Sequence, residues 1–160
     1  GQTVLISNFQ EYYKLVEYFN LYSKKRMVLS MGVNNLIDIF DEKYYRHLSG
    51  GILEAFGKLF HKDLKVYLYP MLSEEGTLIT SENLKVHPRM KELYKFFKYT
   101  GKLVDIKNYR PEILNIFSRK VLKMIAKGED GWEPLLPSVV SNMIKEQQLF
   151  GFSEKEVPAK

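Results

Sequence analysis

The sequence has 160 residues, the usual size of one domain, and its 45% hydrophobic and 27% charged composition is that of a globular protein. Its 24 basic and 19 acidic residues leave a net charge of +5, interspersed along the chain, which admits anionic small molecules, nucleic acid and acidic proteins as partners. The absence of cysteine excludes disulfides, thiolate metal sites and thiol nucleophiles, and no stretch approaches the roughly 18 consecutive apolar residues that span a membrane.

The first elements along the chain predict a strand, a helix and a second strand. Residues 3–6, TVLI, are a short β-branched and apolar run, and apolar residues then recur at helical spacing over residues 12–22. Residues 27–32, MVLSMG, form a second apolar run without helical period, which we expect to pair in parallel with the first. Asn34 or Asn35 is then expected to cap the next helix.

Further elements follow from alternation and from proline positions. Residues 64–71, LKVYLYPM, alternate with a period of two and predict a strand, and residues 77–86 contain a strand-like segment that should pair with it as an antiparallel edge hairpin. Residues 102–106, KLVDI, predict a short returning strand. Proline favours the first turn of a helix, and three helices are expected to begin at prolines: Pro88, Pro111 and Pro137.

These elements predict the α/β class, with a small, mostly parallel, Rossmann-like three-layer sheet, an edge hairpin and a helical C-terminal part. Residues 1–152 are predicted to form a single α/β domain and residues 153–160 a flexible tail. The strand-like run begins almost at Gly1, as it would in a domain excised from a longer protein, and that alternative stays open.

The carboxyl ends of the parallel strands are the expected binding rim, because open α/β sheets bind ligands there. Backbone amides in the turn SMGVNN, residues 30–35, are positioned to approach a phosphate or carboxylate. The predicted ligand-binding residues of the rim are Asn8, Ser30, Gly32, Asn34 and Asn35. The alternative is an ordinary turn, since glycine and asparagine are common turn residues and neither a Walker loop nor a Gly-x-Gly-x-x-Gly fingerprint is present.

A second candidate lies at a glycine pair. Gly50 and Gly51 are predicted to hold an anion at a helix N-terminus, where Glu54 in the first turn is a candidate catalytic base. The alternative is a tight turn in which the glutamate only complements the helix dipole.

The connection FDEKYYRH, residues 40–47, is a third candidate because it concentrates charge. Lys43 and Arg46 are predicted to clamp an anion and to act in catalysis, with Asp41 available for acid–base chemistry. The alternative is a solvated helix end, since charged runs usually face solvent.

Other chemistry has less support in the sequence. The three histidines are scattered without ligand spacing, so no metal site is predicted, and no motif identifies a cofactor. Lys120, Lys123 and Lys127 share one helix face, which is either a nucleic-acid backbone ridge or a solvated surface.

The leading functional hypothesis is a cytoplasmic, nucleotide- or phosphate-binding α/β domain that holds an anionic metabolite at the strand ends as part of an enzyme, although catalysis itself is left open. The alternative is a non-catalytic protein-interaction module of a larger protein, which would dock its partner through an aromatic surface. Weak nucleic-acid binding ranks third, because the net charge of +5 is modest and no binding motif is present. A membrane partner is not expected.

Overall fold

The computed structural model describes residues 3–153. The chain divides into two compact units, Gly1–Tyr109 and Arg110–Lys160, and each is described by itself. The predicted flexible tail, residues 153–160, lies outside the described residues except for Ser153.

The first unit contains four α-helices and five strands in its described part. The helices are α1 (Tyr12–Tyr22), α2 (Val33–Ile39), α3 (Gly51–Leu59) and α4 (Lys91–Tyr99). The strands are β1 (Val28–Gly32), β2 (Lys65–Tyr69), β3 (Met71–Leu72), β4 (Leu78–Ile79) and β5 (Leu103–Asp105).

Three of these strands form a parallel sheet in the order β1-β2-β5. Val66 of the central strand lies opposite Leu29 of β1 and Leu103 of β5, and Gly32 lies opposite Tyr69. The α/β class and the small parallel sheet are therefore confirmed, as are the strands predicted around residues 27–32, 64–71 and 102–106.

Two strand predictions were wrong. Residues 3–6 form no strand and are exposed, so they do not open a strand–helix–strand unit, and β1 pairs instead with β2. The hairpin β3–β4 is a separate two-stranded sheet and not the edge of the parallel sheet. Pro70 separates it from β2, and proline lacks the backbone N–H that a continuing ladder needs.

The core of the first unit covers one face of the sheet. Val66 and Leu68 of β2 are fully buried, whereas Lys65, Tyr67 and Tyr69 on the opposite face are only half-buried. This alternation explains the period of two in the sequence. It does not by itself place helices on both faces, so the Rossmann-like three-layer arrangement stays a prediction.

An aromatic cluster centred on Phe56 of α3 fills the buried side. Its ring lies 4.9 Å from Phe40, 5.1 Å from Phe97 and 6.2 Å from Tyr45, each in an edge-on arrangement. Such edge-to-face pairs stabilise beyond the area they bury. The cluster therefore joins the segment after α2 to helices α3 and α4.

A polar contact fixes the segment between β4 and α4. Ser81 is buried, and both its backbone N–H and its hydroxyl donate to the carboxylate of Asp105 at the end of β5, at 3.0 and 2.8 Å. The hydroxyl of Tyr94 in α4 donates in turn to the carbonyl of Ser81 at 2.6 Å. Charge-assisted bonds of this kind are the stronger ones, so the segment is held to both β5 and α4.

The second unit is helical in its described part. Its helices are α5 (Ser118–Ala126) and α6 (Ser138–Glu146), and its core contains Val121, Ile125, Trp132 and Ile144. The helix expected to begin at Pro111 begins seven residues later, at Ser118, after a single 3-10 turn at Pro111–Ile113. The helix expected at Pro137 is confirmed, with Pro137 as its N-cap.

Two leucines of α3 provide a test of this packing. Leu59 is 2% exposed and Leu53 is 66% exposed on the same helix. We expect Leu59→Ala to lower the free energy of unfolding by about 2–5 kcal/mol, because it deletes buried methyl groups and leaves a cavity. The matched variant Leu53→Ala should change it by less than about 0.5 kcal/mol. Urea unfolding followed by far-UV circular dichroism measures both, and equal losses would contradict the assigned face of α3.

Candidate functional site

A cleft of about 320 Å³ lies within the first unit between the chain after α2 and the chain before α4. Its apolar lining includes Ile37, Phe40 and Met90. Its polar lining comprises two carboxylates, three basic side chains and one imidazole: Asp41, Glu42, Lys43, Arg46, Arg89 and His87. The predicted residues Lys43 and Arg46 therefore lie in one cleft with Asp41.

Short 3-10 helices shape both walls of the cleft. On one wall Asp41 accepts a hydrogen bond from the backbone N–H of Lys43 at 3.0 Å, which caps the 3-10 helix Glu42–Tyr45. Tyr45 is buried and its hydroxyl donates to the carbonyl of Ile39 at 2.8 Å, which anchors this wall to α2. Burial raises the pKa of Tyr45, so its hydroxyl stays protonated as a donor.

The other wall is the 3-10 helix Pro88–Met90. Pro88 occupies its first position, which proline favours. The imidazole Nδ1 of His87 accepts a long hydrogen bond from the backbone N–H of Arg89, at 3.4 Å. An ion pair of 3.4 Å joins the guanidinium of Arg89 to the carboxylate of Glu42 and so connects the two walls. Both side chains are substantially exposed, so this pair contributes little to stability and can exchange partners.

The basic groups of the cleft differ in how they are paired. Lys43 forms an ion pair of 2.6 Å with Asp41, and its Nζ lies 4.7 Å from the ring centre of Tyr44. The Lys43 ammonium, the backbone N–H of Lys43 and the charge of Arg46 together hold the pKa of Asp41 below its ordinary value. Within residues 3–153, the Arg46 side chain makes no hydrogen bond or ion pair, so its guanidinium can accept a ligand although its charge acts on Asp41.

The turn predicted to hold a ligand has a different local structure from the one expected. Gly32 is the N-cap of α2 and has an ordinary φ of −66°, and α2 receives no side-chain cap. The prediction that Asn34 or Asn35 caps this helix was wrong, because both lie inside its first turn. The Asn34 side-chain amide donates to the side-chain Oδ1 of Asn35 at 3.2 Å. A Cβ on Gly32 would lie 2.5 Å from the Asn34 side-chain oxygen, so that side chain lies over the glycine.

The remaining rim residues are dispersed. Ser30 is exposed in β1, and Asn8 is exposed in an irregular segment before α1. At the ends of the neighbouring strands, the ring of Tyr69 contacts that of Tyr109, and Asp105 is held by Ser81. Side chains of the protein itself therefore occupy two of the three strand ends.

Glu54 has a local structural role at the glycine pair. One carboxylate oxygen accepts from the backbone N–H of Gly50 at 2.9 Å, and the other pairs with Lys58 at 3.0 Å. These contacts lower the pKa of Glu54, which makes its carboxylate a weaker proton acceptor. Gly51 has a φ of +56°, the left-handed conformation that glycine adopts most readily.

The sequence did not identify His87 and Arg89 as site residues. They lie more than forty positions after Asp41, and only the tertiary structure brings them to the cleft. The one local feature near them was Pro88, which predicted the start of a helix but did not indicate a binding or catalytic role for its neighbours.

Comparisons with known proteins add no family to this description. No protein-family model, no curated protein sequence and no solved structure matches the chain. Across residues 3–153, no group of three or more His, Asp or Glu side chains is arranged to hold a metal ion. In the same part of the chain, no helix has the length and apolar character needed to cross a membrane.

The pairing of Asp41 with Lys43 predicts a measurable titration. We expect the carboxyl carbon of Asp41 to titrate below the ordinary pKa of 3.8 in NMR spectra, and Lys43→Ala to raise the midpoint toward that value. A carboxylate whose folded pKa is depressed contributes stability above its unfolded pKa and loses it as the pH falls through the folded pKa. The variant should therefore lose less stability than the wild type on acidification below about pH 4.

Glu133 serves as the control, because Lys145 lowers its pKa in the second unit. Its midpoint should be the same in the wild type and in Lys43→Ala. If the midpoint of Asp41 does not move in Lys43→Ala, the ion pair is not formed in solution.

Proposed function

We propose that this chain is a cytosolic α/β domain that binds a small anionic ligand, a phosphorylated metabolite or nucleotide, in the cleft lined by residues 37–46 and 86–90. The observation that carries the proposal is the convergence of Lys43, Arg46 and Arg89 on that cleft. Three basic side chains face two carboxylates, which leaves an excess of positive charge.

Arg46 is the central residue of the proposal. Its guanidinium forms no hydrogen bond or ion pair in the described part of the chain, and a guanidinium binds phosphate or carboxylate through two parallel hydrogen bonds. The exposed pairs of Lys43 with Asp41 and of Arg89 with Glu42 can open to add contacts. The depressed pKa of Asp41 makes its carboxylate a poor general base.

The proposal retains two predicted catalytic residues, Lys43 and Arg46, and places the ligand in the cleft instead of at the strand-end turn. Support for that choice comes from Asp105 and Tyr69, which engage neighbouring side chains at two strand ends. We also propose that the domain has a Rossmann-like three-layer arrangement. The parallel order β1-β2-β5 of its sheet supports this.

The test is a titration of isotopically labelled protein with inorganic pyrophosphate, followed by amide NMR shifts. We expect saturable shifts confined to residues 41–46 and 86–90. Arg46→Ala should weaken binding at least tenfold, because it removes a charge-assisted contact. Arg119→Ala makes the same substitution at an exposed arginine of the second unit and should leave the affinity unchanged. A panel of nucleotides and sugar phosphates then identifies the ligand class by thermal shift.

Two results would contradict the proposal. One is the absence of saturable shifts in the wild type at low ionic strength. The other is equal binding by the wild type and Arg46→Ala, which would mean that pyrophosphate binds elsewhere.

A second candidate function is supported by an exposed apolar surface at the start of the chain. The N-terminal aromatic surface comprises Phe9, Tyr18, Leu21 and Tyr22, and the ring of Tyr18 lies 5.4 Å from Phe9 and 5.1 Å from Tyr22. Leu21 is 77% exposed and Tyr22 is 73% exposed. Exposed apolar patches of this kind mark interaction sites, which favours docking of another protein chain.

If this surface docks a second copy of the chain, the sedimentation coefficient should rise with protein concentration. The double variant Leu21→Ser/Tyr22→Ser should remain a monomer, while Val139→Ser, at an exposed apolar position of α6, should associate like the wild type. A concentration-independent monomer in all three proteins would exclude self-association through this surface.

A further inference from the structure

One stretch of 18 residues carries a strong excess of positive charge. Residues 85–102 contain a single acidic residue, Glu92, and six basic residues: Lys85, Arg89, Lys91, Lys95, Lys98 and Lys102. Their excess equals the net charge of the whole chain, +5, so the rest of the sequence holds equal numbers of basic and acidic residues.

Helix α4 arranges these lysines on one side. Lys91, Lys95 and Lys98 follow each other at intervals of four and three residues, which places their Cβ atoms about 5–6 Å apart along the helix. A groove of about 660 Å³ lies beside them, between α4 and residues 82–86, and Lys85 contributes from the opposite side. The groove is distinct from the cleft lined by residues 37–46 and 86–90, which we call the anion cleft. Val86 lines both.

The groove also has an aromatic lining. Tyr94 is buried and fixed by its hydrogen bond to the carbonyl of Ser81, and Leu84 and Val86 extend the apolar floor. Tyr99 lines the groove at the end of α4 and is 93% exposed. An exposed ring beside lysines offers a face on which a flat group can stack.

Two of the groove lysines are not paired through their ammonium groups. Among the residues that the structure describes, the side chains of Lys85 and Lys91 make no ion pair or hydrogen bond, while Lys95 pairs with Glu92 and Lys98 with Glu82. The charge of Lys91 acts on Glu92 without a direct contact. Glu82 is the sole acidic residue in the described lining of the groove. Since the acidic partners are exposed, these pairs add little stability and do not prevent the lysines from meeting an anionic ligand.

We propose that this groove binds a single-stranded polynucleotide, with phosphates along Lys85, Lys91, Lys95 and Lys98 and a base stacked on Tyr99. A basic groove that follows the backbone, combined with aromatic rings for the bases, is how proteins bind single strands without sequence preference. The carboxylates of an acidic peptide would pair with the lysines, but they would not stack on the exposed ring of Tyr99 as a nucleobase does.

The first test separates the phosphate contacts. Binding of a short fluorescein-labelled oligodeoxythymidine is measured by fluorescence anisotropy over a series of salt concentrations. Lys85→Ala/Lys91→Ala should weaken binding about tenfold at low salt and reduce the slope of log K against log salt by about 1.4, since each lost phosphate contact on a single strand contributes about 0.7. The control Lys24→Ala/Lys25→Ala removes two exposed lysines that follow α1 and should change neither quantity.

The second test separates the stacking contact. Tyr99→Ala should weaken binding about tenfold while the salt slope stays the same, because it removes a ring and no charge. Tyr99→Phe should bind like the wild type, since it keeps the ring. Circular dichroism verifies that each variant is folded.

Three outcomes would overturn the proposal. The first is failure of the wild type to bind the oligonucleotide at low salt. The second is loss of binding in the lysine variant without any effect of Tyr99→Ala, which would describe a general polyanion surface. The third is preferential, lysine-dependent binding of poly-glutamate or of vesicles containing phosphatidylserine, which would assign the groove to an acidic protein or a membrane.

The proposal is independent of the anion cleft. Arg46→Ala should bind the oligonucleotide like the wild type, and Lys85→Ala/Lys91→Ala should bind pyrophosphate like the wild type. Failure of one function therefore leaves the other measurable.

Discussion

Burial of the central strand is the constraint on which the first unit depends. Val66 and Leu68 of β2 are fully buried, and β2 is the strand that pairs with both β1 and β5. Long chain segments separate the three strands, so local turns cannot set their register, and the aromatic cluster around Phe56 must hold the connecting helices over them. Because α2 follows β1 directly and the segment at Ser81 is tied to β5, the sheet also positions both walls of the cleft.

The parts of the fold that were predictable are those in which a local pattern reflects burial. β2 alternates because one of its faces is buried, and that alternation is visible in the sequence. Residues 3–6 have β-branched and apolar residue types like those of the observed strands, but they have no partner strand. Strand pairing depends on tertiary structure, which local residue types do not determine. The prediction of an edge hairpin was wrong because β2 ends before Pro70. The sequence contained the signal for that break, since proline interrupts the hydrogen-bond ladder of a strand.

The candidate site was likewise predictable from the sequence only in part. Lys43 and Arg46 were found because they share one charged connection, whereas His87 and Arg89 reach the cleft only through the fold. Glu54, Gly50 and Gly51 were singled out by residue type, and their contacts at the start of α3 have a local structural purpose. Residue type and spacing therefore identified one wall of the cleft, and the packing of α4 against the Phe56 cluster supplied the other.

The segment between Lys85 and Lys91 connects the two proposed sites. His87 and Arg89 line the cleft, Lys85 and Lys91 line the groove, and Val86 contributes to both. Two anionic ligands on either side of one such segment would repel each other, and salt at 0.1 M screens that repulsion beyond about 10 Å. The intervening basic residues offset that repulsion. The balance would set the sign of any coupling between the sites, and by linkage each ligand would change the affinity of the other by the same factor.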